Sequence, residues 1–245
     1  MNKAAAYIEN IQRLINEVML TQLTSIESAS REIAWAIEQD KNIFLFGTGH
    51  SHLLAEEMFF RAGGLVKLQP VLEEALMLHT SASKSAELQH LSGYANIIFD
   101  HYRMKKGDVL IIFSYSGLSK VCIDLAKLAN ERGLVLIALT NTKRAKSGSS
   151  HHSSGKCLYE YADIVIENIG ASADASIEIE GLSVPVSPTS TVIGSMIMNA
   201  VVARAVEIMV QNGVQPEIFA GGDSEYNCEI DSHYVKKYIG EIEFL

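Results

Sequence analysis

The chain is poor in cysteine, poor in positive charge and without a long lipid-facing run, and each shortage removes a class of function. Cys122, Cys157 and Cys228 are the only cysteines in 245 residues. Odd in number and widely spaced, they form neither a disulfide framework nor a paired metal-ligand pattern, and buried reduced thiols are expected. Twenty Lys and Arg against 29 Asp and Glu leave a formal net charge of −9, so no basic field is present to attract a nucleic-acid backbone. No run of about 18 residues reads as lipid-facing. The opening "MNKAAAYIEN" has no secretory pattern, and a soluble cytoplasmic protein is expected, with no membrane and no nucleic-acid partner. "SGSSHHSSGK", from Ser147 to Lys156, has only two histidines in mid-chain and reads as a native loop.

What is present is apolar pattern. Hydrophobic residues make up 48% of the chain, enough to bury a large core. Tyr7, Ile8, Ile11, Leu14, Ile15, Val18 and Met19 fall on one helical stripe, and Ile26, Ala29, Ile33 and Ile37 on a second. These stripes pack against the domain or against a second copy. From Asn42 the texture changes to short runs that are apolar on both faces: "NIFLF", "DVLIIF" and "LVLIAL", with further strands at Leu65 to Val71 and Asp163 to Asn168. Helical segments separate them, among them one carrying Val121, Leu125, Leu128 and Ala129 and stopped by Gly133. Such alternation predicts an α/β fold with a doubly wound parallel sheet of about five strands. A long, nearly all-apolar helix follows Pro188, opened by Ser187, Thr189, Ser190 and Thr191 and stopped by Gly213 and Pro216. The residues after Pro216 show no clear period.

Ligands of an open parallel sheet bind where strands end and helices begin, and hydroxyls gather there. Ser51 follows the first strand. Ser114, Ser116 and Ser119 follow a later one, with Gly117 letting the backbone approach, and the Thr189 to Thr191 turn opens the last helix. Helix-start N–H groups with small neutral donors suit one phosphate. Other anion-binding schemes lack essential parts. In the dinucleotide pattern G-x-G-x-x-G, Gly47 and Gly49 are followed by His52 where the third glycine belongs, and no phosphate-loop lysine motif occurs. His50, His52, His79, His151 and His152 have no compact metal-ligand spacing, so neither a metal nor another cofactor is expected.

Taken together, "FGTGHS", the following "AEE" and Arg61, "SYSGLS", "YADIVIENIG" and the "PTST" helix resemble the sugar isomerase (SIS) domain. This phosphosugar-binding family includes phosphoheptose isomerases, the isomerase half of glucosamine-6-phosphate synthase and muramic acid 6-phosphate etherases. The resemblance spans roughly residues 31–214, leaving an N-terminal helical extension over 1–30 and a C-terminal extension over 215–245. It implies a three-layer α/β/α sandwich, paired into homodimers or homotetramers. It also implies a sugar phosphate held by Ser114, Ser116 and Ser119, with Gly49, His50, Ser51, Thr189, Ser190 and Thr191 completing the site and Asp174 placed for sugar hydroxyls. Glu57 and Arg61 match the glutamate and arginine of phosphoheptose isomerases. Glu57 is thus the first candidate for the base that takes the proton beside a carbonyl, and Glu56 the second. Those isomerases carry a histidine in the last helix, where this chain offers Asn199; His79, His50, His52 or His151 could substitute. Three functions remain: a phosphosugar isomerase working through an enediol-like intermediate, a lyase or etherase on a phosphorylated amino sugar, and a non-catalytic sugar-phosphate sensor.

Overall fold

The computed structural model describes residues 2–171, 173–222 and 224–245. Two helices come first, α1 (Lys3–Thr21) and α2 (Leu23–Glu38). Five parallel strands follow: β1 (Ile43–Gly47), β2 (Leu68–Val71), β3 (Val109–Ser114), β4 (Val135–Thr140) and β5 (Ile164–Glu167). Between them run α3 (Leu53–Met58), α4 (Ala82–Leu88), α5 (Tyr94–His101), α6 (Lys120–Arg132) and α7 (Thr142–Ser147). A small antiparallel hairpin, β6 (Ala175–Ile177) and β7 (Val186–Pro188), leads into α8 (Ser190–Gln211), and α9 (Glu225–Tyr238) lies near the end.

The three layers follow from residue parity. Side chains alternate across a strand, and both faces of these strands are apolar. Ile43, Leu45, Ile111, Phe113, Ile137 and Leu139 join one core with α1, α2, α3 and α8. Their neighbours Phe44, Phe46, Leu110, Ile112, Leu136 and Ala138 join a second core with α5 and α6. Sheet order is β2-β1-β3-β4-β5. The chain therefore winds one way from β1 to β2 and the other way from β3 onward, which opens a crevice at the carboxyl ends of β1 and β3.

α8 is long and apolar enough to pass for a membrane span by length and composition, yet half of that stretch is buried in the fold. Its inner face packs on α2, where the buried Ser30 hydroxyl donates to the Val201 carbonyl at 3.0 Å. The outer rim of this contact is electrostatic: Arg204 donates to both carboxylate oxygens of Glu27, at 2.6 and 3.1 Å. That hydrogen bond is the main reason the Glu27 carboxyl lies below its ordinary value of 4.5. A depressed folded value adds stability above the unfolded value and loses it as pH falls through the folded one. Arg204→Met is expected to return Glu27 toward its ordinary value in an NMR titration and to flatten the loss of stability below about pH 4.5.

Several boundaries differ from the pattern reading. Ser187 belongs to β7 and does not open the last helix, which begins at Ser190. α9 forms in the segment without a clear period because the Ser224 hydroxyl caps it by accepting from the Asn227 N–H and Lys236 and Lys237 sit in its last turn. Cys122 and Cys157 are free and buried, but Cys228 is free and exposed, since α9 buries only Tyr238.

Candidate functional site

At the carboxyl end of β1 the chain turns through Thr48 into a short 3-10 turn, Gly49–His52, and then α3. Thr48 donates to Gln89 at 2.9 Å, and the His52 ring meets the Gly49 carbonyl; the turn is thereby fixed from both sides. At the end of β3, Gly117 N–H donates to the Ser114 carbonyl and hydroxyl, at 3.1 and 3.2 Å, folding the "SYSGLS" turn back over the sheet. The Ser116 hydroxyl accepts from Leu118 N–H at 3.3 Å.

These turns meet α8. Ser51 and Leu54 from the first turn, Ser114 and Tyr115 from the second, Asn168 after β5, and Ser190 and Thr191 at the α8 start line one cleft. Ser119 lies at the N-cap of α6 but makes no capping bond, and its buried hydroxyl has no partner. A serine in that position ordinarily bonds a first-turn N–H. The first-turn Val121 N–H donates instead to the Gln89 carbonyl at 3.1 Å, so the Ser119 hydroxyl is the donor left without a partner there. The Cys122 thiol lies beneath: burial pushes its pKa up, against the nearby hydroxyls of Ser119, Thr48 and Ser114.

The start of α8 is different, because it is already filled. The Asp174 carboxylate accepts from Thr189 N–H at 3.0 Å, from Ser190 N–H at 2.8 Å and from the Ser190 hydroxyl at 2.7 Å. The charge also acts on Tyr115, whose phenol is pushed up to about 12 by burial first and by Asp174 second. The expectation that Thr189, Ser190 and Thr191 complete an open anion site thus meets an anion supplied by the chain itself.

Glu56 and Glu57 point to different neighbours, as adjacent residues about 100° apart on a helix must. Glu56 lies 3.5 Å from His52, and His52 stacks edge-on against His79 with ring centroids 6.4 Å apart. Glu57 pairs with Arg61 and accepts from Asn199 Nδ2 on α8 at 3.4 Å. His50 is exposed on the turn, and Gly49 takes a left-handed conformation there. His152 is remote in function: it is buried and donates or accepts between Asp124, at 2.8 Å, and the Ser154 hydroxyl, at 2.7 Å, tying its loop to α6. Among the described residues no three His, Cys, Asp or Glu side chains gather as a metal site would require.

The match to known sequences decides the family. The family model described as "SIS domain" matches residues 6–141. The chain belongs to the SIS domain family. A UPF0309 protein from Geobacillus thermodenitrificans is 39% identical over 98% of this chain and 96% of that protein. Another, from Listeria innocua, is 38% identical over 98% of this chain and 97% of that protein. In fold, the chain is similar to a phosphoheptose isomerase from Francisella tularensis, with TM-score 0.57 at 14% identity, covering 84% of this chain and 97% of that one. It is also similar to the Vibrio vulnificus NanR protein complexed with ManNAc-6P, with TM-score 0.52 at 14% identity, covering 99% of this chain and 70% of that one. The SIS domain thus accounts for the parallel five-stranded sheet with its flanking helices.

Asn168, Asn141, Tyr115 and Thr140 belong to this neighbourhood and were not singled out by sequence. Asn168 Oδ1 and Thr140 Oγ1 are buried without partners. Asn141 Nδ2 reaches the Tyr115 hydroxyl at 3.1 Å and the Asn168 carbonyl at 3.2 Å. Their only local signal is a polar residue at the end of β4 or just after β3, β4 and β5, next to segments otherwise apolar.

Proposed function

We propose that the chain binds a sugar phosphate at the carboxyl ends of β1 and β3 and acts on it as a phosphosugar isomerase through an enediol-like intermediate. The observation that carries this reading is the convergence of Ser51, Ser114, Ser190 and Thr191 on one cleft, together with the unpartnered Ser119 hydroxyl at the N-cap of α6. Ser114, Ser116 and Ser119 hold the phosphate with the α8 start at Thr189 and Ser190 completing the cup, the fixed end of the ligand orients the reacting end, and Glu57 takes the proton beside the carbonyl.

A second reading, a non-catalytic sensor, has its own support in Asn199. An amide beside Glu57 gives it a hydrogen bond but cannot carry a proton, so a two-group proton relay across α3 and α8 is missing there. The likeness of fold to NanR, whose structure holds ManNAc-6P, extends over 99% of this chain.

Binding is tested by thermal unfolding against a panel of sugar phosphates. A true ligand at about 100 times its dissociation constant stabilises the folded state by roughly 2.7 kcal/mol. Ser119→Ala separates a binding role from a structural one. Its hydroxyl is buried and unpartnered, so its removal is expected to leave the unliganded protein as stable or slightly more so, while weakening sugar-phosphate binding about tenfold. A variant less stable without ligand and equally stabilised by it would assign Ser119 to the scaffold alone.

A further inference from the structure

The starts of α6 and α8 both carry hydroxyl donors, and those donors are in opposite states. The α6 start carries an unused, buried serine hydroxyl; the α8 start has given two N–H groups and a hydroxyl to Asp174. These are the donors a phosphate oxygen would take, and their bonds to a charged acceptor are the strong kind.

The carboxylate does not arrive as a local cap. Asp174 stands 15 residues before Thr189 and reaches the helix across the base of the β6–β7 hairpin. It sits there with φ 65°, a left-handed conformation that Asp tolerates better than most residues but does not prefer. Other bonds hold its segment down. Tyr115 donates its hydroxyl to the Ala171 carbonyl, and Asn141 Nδ2 donates to the Gly170 carbonyl at 3.3 Å. Gly170 lies so close that an added Cβ would be 2.7 Å from the Tyr115 hydroxyl and 2.8 Å from Thr189 Oγ1.

Two clefts of very different size lie near these residues. On the side of Ser51, Ser114 and Ser190 the cleft retains about 10 Å³, room for about one water. On the other side, Gly170, Ala171, Ala173 and Ala175 form the wall of an open cleft of about 730 Å³ that reaches α1, within the range of roughly 300–1,000 Å³ occupied by small-molecule sites. Asn168, which lines the narrow side and donates to the Ser190 carbonyl at 2.9 Å, keeps its buried Oδ1 without a partner.

We propose that Asp174 is an internal stand-in for the ligand's anionic group: its carboxylate occupies the donors at the α8 start, and a sugar phosphate enters by displacing it. This rests on the sugar-phosphate reading above. Two anions cannot share the same three donors without strong repulsion, so occupancy by one requires departure of the other. When Asp174 leaves, Thr189 N–H, Ser190 N–H and the Ser190 hydroxyl are freed for the ligand, beside the unpartnered Asn168 Oδ1, which can accept from a ligand hydroxyl. Affinity for the ligand is then reduced by the fraction of molecules latched shut.

The test is calorimetric titration of the full chain and its Asp174→Asn and Asp174→Ala variants with inorganic phosphate and with a panel of sugar phosphates. Asp174→Asn keeps the shape and removes the charge, and is expected to bind phosphate-bearing probes about tenfold more tightly than the parent. Asp174→Ala, checked for folding by circular dichroism, is expected to change affinity in the same direction. If the parent binds a sugar phosphate and neither variant binds it more tightly, the latch is wrong and the sugar-phosphate reading stands. If the variants gain inorganic phosphate but no protein binds any sugar phosphate, the latch stands and the ligand class is wrong. If nothing binds to any of the three, both fall.

Discussion

Gly47→Val is expected to destabilise the protein by about 3 kcal/mol, lower its melting temperature by roughly 6–12 °C and abolish sugar-phosphate binding. Gly47 closes β1, and an added Cβ there would lie 2.5 Å from the backbone carbon and oxygen of Ser51 and 2.8 Å from the backbone nitrogen of His52. No side chain can rotate out of the way, because every clashing atom is main chain. Relief requires the Gly49–His52 turn to move off the end of the strand. That movement withdraws Ser51 from the cleft and shifts Leu54, which packs against Gly194 of α8 closely enough that a Cβ there would be 2.8 Å from it. Stability and binding therefore fail together, and differential scanning calorimetry with a titration of the surviving folded protein measures both. A melting temperature within about 2 °C of the parent would show that the turn accommodates a side chain and that its close approach to the strand has no role in placing Ser51.

The sheet was legible because its strands are apolar on both faces. A run such as "VLIIF", short, β-branched and bounded by turn residues, fits a strand covered on two sides, and the alternate residues do divide between the two cores. The hydroxyl-bearing turns were legible for the related reason that a parallel strand delivers its next residues to the ligand-binding edge. The β6–β7 hairpin was not. Its strands are three residues each, too short to show a period, and they are set by contacts with α1 and by the Tyr7 hydroxyl donating to the Pro188 carbonyl at 2.8 Å. Asp174 was legible as a polar residue near the site but not as the partner of the α8 start, since that pairing depends on how the hairpin folds. Asn168 and Asn141 are single amides after strands; only the return of β5 beside β4 brings them together.

Glu57→Gln is expected to slow exchange of the substrate's carbon-bound proton with solvent by about 10² to 10⁴-fold, while sugar-phosphate affinity is unchanged. Leu54, which lines the cleft, and Glu57 are three residues apart on α3, on neighbouring positions of one face, so the carboxylate stands about one turn from the proposed phosphate cup. Arg61 and Asn199 hold it there. Both are donors, and the carboxylate is the acceptor they share. Glu56, turned toward His52, lacks that approach, and Glu56→Gln is expected to leave exchange at the parent rate. Glu57 removes the proton from one carbon and returns it to its neighbour, while the oxygen-bound proton that must pass between the two oxygens is exchanged with solvent water, since Asn199 offers no proton-transfer group. A single carboxylate that holds the proton long enough to trade with water gives solvent deuterium incorporation at both carbons of the isomerised pair. Incubation with each bound sugar phosphate in deuterated water, followed by NMR, measures this directly. Exchange that survives Glu57→Gln assigns the base elsewhere, and a parent protein that binds a sugar phosphate yet leaves every carbon-bound proton in place is a sensor, with Asn199 standing where a proton-transfer group would be needed.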